Sequence, residues 1–176
     1  PYGSYTIEQA PSTVAEHCAG APLPFDLNAG ATLVTRNFPD TALLPRDVWI
    51  DIVSSPARPG FQTGVHVGVQ HATPGATGNL TITLTFDPVL TFVSTTPTGN
   101  VVGNTITWTT AQLTSFGYRS VNAVFQVPAD VGLIGTDLQY SATVSIVQPE
   151  VDLANNSTTN TRTITGSYDP NAKEVV

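Results

Sequence analysis

Methionine is absent from the 176 residues, lysine and cysteine occur once each, and charged side chains make up only 11% of the chain. Each scarcity excludes something. The six basic residues stand singly and the net charge is −7, so the cationic footprint that a phosphate backbone requires cannot form. Neither nucleic acid nor an anionic membrane surface is an expected partner. No apolar run approaches the roughly 20 residues of a spanning helix, so no membrane insertion is expected either. With one cysteine, Cys18, an internal disulfide framework is ruled out. Cys18 is expected as a small buried hydrophobe, with an intermolecular bridge or reactive thiol as the alternative. The patterns G-x-S-x-G, H-E-x-x-H and C-x-x-C are missing, as is a phosphate-binding glycine loop. No signal peptide is visible and the first residue is Pro, so the chain is expected to be a processed product or a piece of something longer.

What is present points to strands. Thr occurs 27 times, Gly and Pro 14 times each, and 40% of residues are hydrophobic. Thr and Val suit pleated, half-buried surfaces, Gly and Pro suit turns, and this apolar content is too high for disorder. Alternation with period two places Val48, Ile50 and Ile52 inward against Asp47, Trp49 and Asp51. The same pattern sets Val65, Val67 and Val69 opposite His66, Gly68 and Gln70. It recurs in Leu80–Ile82–Leu84–Phe86, Ile106–Trp108, Val121–Ala123–Phe125–Val127 and Leu138–Tyr140–Ala142–Val144–Ile146, and a polar strand, STTNTRTIT, closes the series. Turn signals SPARPG, TPGATGN, TPTGN, PADVGLIGTD and DLANNS lie between them. These runs predict an all-β fold: an antiparallel Ig-like sandwich of seven to eight strands over 45–166, with a closed barrel as the alternative. One helical turn is possible in TTAQLTSFG. Residues 1–44 offer two strand candidates, GSYTIEQ and GATLVTRNF, as an N-terminal appendage that cannot bury a core alone. They are expected to dock on the sandwich, pair with another chain, or end a preceding module. Residues 167–176 are expected to form a junction to a following module.

Four segments carry a family resemblance: RPGF (58–61), VLTFVSTTPTGNVVGNTITW, VFQVPADVGLIGTDLQYSATV and DLANNSTTNTRTITGSYDPNAKEV. In order and spacing they resemble a conserved-repeat, CARDB-related sandwich of large Bacteroidetes surface proteins. An Asp–Asn–Asn element before that family's last strand is matched by Asp152, Asn155 and Asn156. Its SYDPNDK-like junction peptide is matched by Asp169, Pro170, Asn171 and Lys173, with Ala172 where an acidic residue is usual. Residues 1–42 look like the tail of a Cna-B-like or prealbumin-like repeat. The resemblance implies a stalk, adhesin or accessory module exported by the type IX route. It also gives weight to Asp40-Thr41-Ala42 as an O-glycosylation pattern with Thr41 as the acceptor.

Candidate chemistry is sparse. His66 and His71, five apart, point to opposite faces of one strand and are expected as surface or edge residues rather than joint metal ligands. His17 and Cys18 lack a third, orienting residue. Asp47 and Asp51 are expected on the exposed face that also carries Trp49, a residue able to stack on a sugar ring or to be covered. Asp169 and Asn171, completed by Asp152 or by backbone carbonyls, offer oxygens for part of a calcium site, or else Asp169 forms an Asx turn. No other cofactor is expected. Lys173 lies beyond the strands, so an isopeptide staple through the core is excluded. Asn79, Asn155 and Asn156 fit the N-glycan pattern but read as turn residues. The expected function is a non-enzymatic extracellular structural or adhesion module. Its partners would be neighbouring modules or copies of itself, joined by strand addition, or a surface glycan or host ligand. A carbohydrate-binding accessory domain is the alternative.

Overall fold

The computed structural model describes residues 1–8, 23–37 and 46–166, with the backbone alone of 15–17 and 40–42. Cys18, Asp169, Asn171 and Lys173 lie outside the described residues, as does the side chain of Thr41. The chain divides into two units, Pro1–Pro45 and Arg46–Val176. In the first, β1 (Gly3–Ile7) pairs antiparallel with β3 (Leu23–Leu27), and β2 (Ala15–His17) pairs with β4 (Asp40–Ala42). Tyr5 stacks on Phe25 with ring centroids 5.7 Å apart. The segment GATLVTRNF does not form the strand expected of it. Asn28 accepts the N–H groups of Gly30 and Ala31 on its Oδ1, at 2.9 and 3.1 Å, and bends the chain there. The partner of β1 is instead LPFDL, a segment with a proline, which an edge strand accommodates.

The second unit is an Ig-like sandwich of two antiparallel sheets. Its strands are β5 (Val48–Ser54), β6 (Gln62–His71), β7 (Leu80–Phe86), β8 (Thr91–Thr96), β9 (Asn100–Val102), β10 (Thr105–Thr110), β11 (Tyr118–Gln126), β12 (Asp137–Ile146) and β13 (Ser157–Thr163). One sheet has the order β13-β12-β7-β10-β9, the other β5-β6-β11-β8. The inward positions of the alternating strands are buried as their periodicity dictates: Val65, Val67 and Val69 face Leu80, Ile82 and Leu84 across the core. Burying each such side chain contributes about 1.5–3 kcal/mol, which is why one face of each of these alternating strands is apolar. Phe125 sits at the centre, 4.5 Å from Phe86 and 6.3 Å from both Phe92 and Tyr140 between ring centroids. Trp108 is buried with its Nε1 donating to Thr95 Oγ1 and to Pro97 O, both at 3.0 Å.

Strand β8 does not alternate, because only Phe92 packs on the core and a bulge interrupts its pairing with β11. Residues 111–117 form a loop rather than a helical turn; the one 3-10 turn among the described residues is Val131–Leu133, capped by Asp130 Oδ1 on Gly132 N at 2.8 Å. The last described residues, 164–166, lie beside the β5–β6 connection. There Ala57 bridges Ile164 in parallel, and Thr165 N donates to Ala57 O at 3.0 Å.

Candidate functional site

Strand β6 carries Gly64, His66, Gly68 and Gln70 on the outer face of the four-stranded sheet. Pairing sets Trp49 and Tyr118 on either side of Gln70, and Asp51 and Ser120 on either side of Gly68. Two inter-strand spacings separate Trp49 from Tyr118, roughly 10 Å along the backbone grid. Trp49 is 43% exposed and Tyr118 54% exposed. A third aromatic residue, Phe116, is 62% exposed and holds a left-handed backbone, φ 53. Its carbonyl, with that of Gly117, accepts from Gln70 Nε2, at 3.0 and 3.3 Å. The Gln70 amide therefore ties the loop before β11 to the sheet and fixes the edge of an aromatic patch.

Glycine makes the rest of this face. A Cβ on Gly68 would come within 2.7 Å of Tyr118 Oη, so the phenol ring lies across the bare backbone. Its hydroxyl reaches His66 Nε2 at 3.0 Å, while His66 Nδ1 meets Asn122 Oδ1 at 2.9 Å. One neutral tautomer satisfies both contacts: Nδ1–H donates to the amide oxygen and the phenol donates to Nε2. No carboxylate meets the imidazole in this constellation; the ring is held across the sheet by the Asn122 amide and the Tyr118 phenol. A shallow cavity of about 440 Å³ runs beside it, lined by Val53, Ser55, Gly64, His66, Asn122 and Val124.

The sequence-predicted residues are distributed unevenly around this face. Trp49 and Asp51 lie on it as expected, and Asp51 Oδ1 accepts from Ile52 N at 2.8 Å. Asp47 does not. It is 6% exposed, because the β12–β13 connection covers the start of β5, and its Oδ1 accepts from Asn155 Nδ2 at 3.2 Å. His66 is exposed, but His71 is fully buried rather than at the surface. Its ring nitrogens lie against Asp47 O, at 3.0 Å, and Gly75 O, pinning the 72–77 loop over the strand end. Asp152 Oδ1 accepts from Ala154 N at 2.9 Å as a turn former. Among the described residues no three His, Cys, Asp or Glu side chains cluster as metal ligands. Gln70, Phe116, Tyr118 and Asn122 escaped the sequence reading, since only register and loop geometry gather them.

This slab has counterparts in known structures. The major pilin subunit BcpA of Bacillus cereus is similar at a TM-score of 0.50 and 11% identity, over 94% of this chain and 55% of that one. The CARDB domain of a Pyrococcus furiosus protein is similar at a TM-score of 0.46 and 14% identity, over 68% of this chain and 95% of that one. A non-cellulosomal cohesin from Archaeoglobus fulgidus gives 0.47 and 18%, over 66% and 91%. At such identities the likeness is one of fold. No protein-family model and no curated protein sequence matches the chain significantly. Among the described residues no helix is long and apolar enough to cross a membrane.

Proposed function

We propose that this chain is a non-enzymatic structural and adhesive module of an extracellular bacterial surface protein, working through the outer face of its four-stranded sheet. The supporting observation is the exposed trio Trp49, Phe116 and Tyr118 around Gln70, held in register by the sheet. Rigid aromatic side chains with an amide between them give large contact area at low entropy cost, the composition of protein-binding hot spots. Export by the type IX route, a Cna-B-like origin for residues 1–42 and a junction role for 167–176 belong to the same proposal, on the strength of the sequence resemblance. Assembly with further copies by strand addition is its finer part, and the outer edge of β8 is the strand position that favours it.

The deciding experiment measures retention of beads coated with the chain on bacterial and host cell layers, with Trp49→Ala and Tyr118→Ala compared against wild type. Each substitution is expected to weaken adhesion by about tenfold or more, the loss typical of an aromatic hot spot. Unchanged retention in both variants would remove this face from the function. Binding to an isolated polysaccharide, abolished by Trp49→Ala, would turn the assignment to a carbohydrate-binding accessory domain instead.

A further inference from the structure

The connection from β12 to β13 folds back over the start of β5 and builds a polar cluster there. Glu150 accepts from Val48 N on Oε2, at 2.9 Å, and from Asn156 Nδ2 on Oε1. Asp47, the neighbour of Val48, accepts from Asn155 Nδ2 at 3.2 Å. Both asparagines are fixed by their backbones: Asn155 O accepts from Ile50 N at 3.2 Å and Asn156 O accepts from Val144 N at 2.9 Å. Two adjacent amides thus stand against two carboxylates, one anchored to each sheet.

Counting donors and acceptors exposes an imbalance. Each asparagine commits its NH₂ to a carboxylate, and the Oδ1 of both is buried without a partner. Asn156 is only 8% exposed. A buried acceptor without a donor is destabilising, and here two of them belong to amides that hold two carboxylates. Neither carboxylate forms an ion pair among the described residues. The nearby Arg46 spends its Nε on Ala76 O, at 2.9 Å, and His71 faces the backbone oxygen of Asp47, not its carboxylate. Four side chains supply oxygen and nothing cationic answers them.

We propose that Asp47, Glu150, Asn155 and Asn156 form a binding site for one hard divalent cation of the calcium class. The donor set is all oxygen, two carboxylates and two amide carbonyls, which suits calcium and offers no nitrogen or sulfur to a softer metal. An amide that turns about its Cβ–Cγ bond exchanges Nδ2 for Oδ1, which would bring each amide oxygen to the side of the carboxylate that its NH₂ now holds, ready for an ion between them. Water completes the six to eight ligands. The ion would fasten the first strand of the sandwich to its last connection. This site excludes Asp152, which is occupied as a turn former, and it stands or falls independently of the adhesive face.

The test uses the full chain stripped with a chelator, CaCl₂ as titrant, calorimetry and thermal melting. One ion per chain is expected, with a Kd of about 10⁻⁴–10⁻³ M, the range of extracellular modules. At tenfold excess over Kd the Tm should rise by about 3–6 °C, and equal MgCl₂ should leave it unmoved. Glu150→Gln should abolish the heat of binding. Asn156→Asp, which adds a charge without removing a ligand, should tighten binding about threefold or more. No heat and no Tm rise would overturn the site. Calcium binding indifferent to both substitutions would overturn it too, by placing the ion elsewhere, and an equal response to magnesium would overturn the calcium class.

Discussion

Single residues in this protein are governed by whether a polar atom inside the slab finds a partner. Trp108 does, through two acceptors on one N–H, and it locks the β8 end to β10. Tyr140 is less well served. Its side chain is buried in the aromatic cluster and its hydroxyl forms no geometrically sound hydrogen bond, although Thr63 lies near enough to ease its ionised form. Burial, with Asp87 adding to it, raises the phenol to about 12 from its usual 10, against smaller opposing effects of Arg162 and Thr63. Above pH 10 the unfolded chain therefore loses this proton while the folded chain keeps it. Stability is fully present below pH 10 and falls between pH 10 and 12 by about 1.4 kcal/mol per unit from this group. Urea midpoints measured across that window should decline more gently in Tyr140→Phe. At pH 7 the same variant should be neutral or slightly more stable, since it removes an unsatisfied hydroxyl. An unaltered slope would place the alkaline sensitivity on other groups.

Among the elements, the two outer strands of the four-stranded sheet are treated differently. On β5 the first three free-side N–H groups are occupied: Val48 by Glu150, Ile50 by Asn155 O and Ile52 by Asp51. On the other rim, β8 carries no charge and no proline, the usual protections of an exposed edge, and has only its bulge. If the chain associates by strand addition, that is where it adds. Val93, 43% exposed at the bulge, is the residue to change. Val93→Lys should shift a concentration-dependent assembly to monomer in light scattering, while leaving stability within about 0.5 kcal/mol as a surface substitution does. Persistence of the assembly would argue for a different contact.

How much of this was legible varies by element. Strands β5, β6, β7, β10, β11 and β12 could be read because one face is buried and the period-two pattern records that. The outer strands β8 and β9 could not, since an edge with one core contact has no such pattern. GATLVTRNF misled because its alternation is real while Asn28 takes the N–H groups that a strand would need. Asp47 and His71 were misplaced for one shared reason: each sits at a strand end, where the covering loop and not the pleat decides burial. Trp49 was found by parity alone. Its companions Phe116 and Tyr118 required the registers of β6 and β11, which no local pattern encodes.

At the scale of the whole molecule the two units are unequal. In Pro1–Pro45 no described side chain is buried, whereas Arg46–Val176 contains a continuous core from both sheets. We therefore propose that the sandwich folds without the first unit. A chain lacking residues 1–45 should melt within about 3 °C of the full chain by scanning calorimetry, a difference under roughly 1 kcal/mol at this size. A drop much larger than that would mean the first unit completes the second.

The parallel bridge between Ala57 and Ile164 has a mechanical meaning. Strands β5 and β13, the first and last of the sandwich, run in the same direction, so tension entering at Arg46 and leaving at Gly166 pulls them past each other lengthwise. The fastenings between them, Arg162 on Ser54 and Thr165 on Ala57, are then loaded side by side instead of one after another. A tether made of such units would resist stretching until many bonds fail at once, and would not peel.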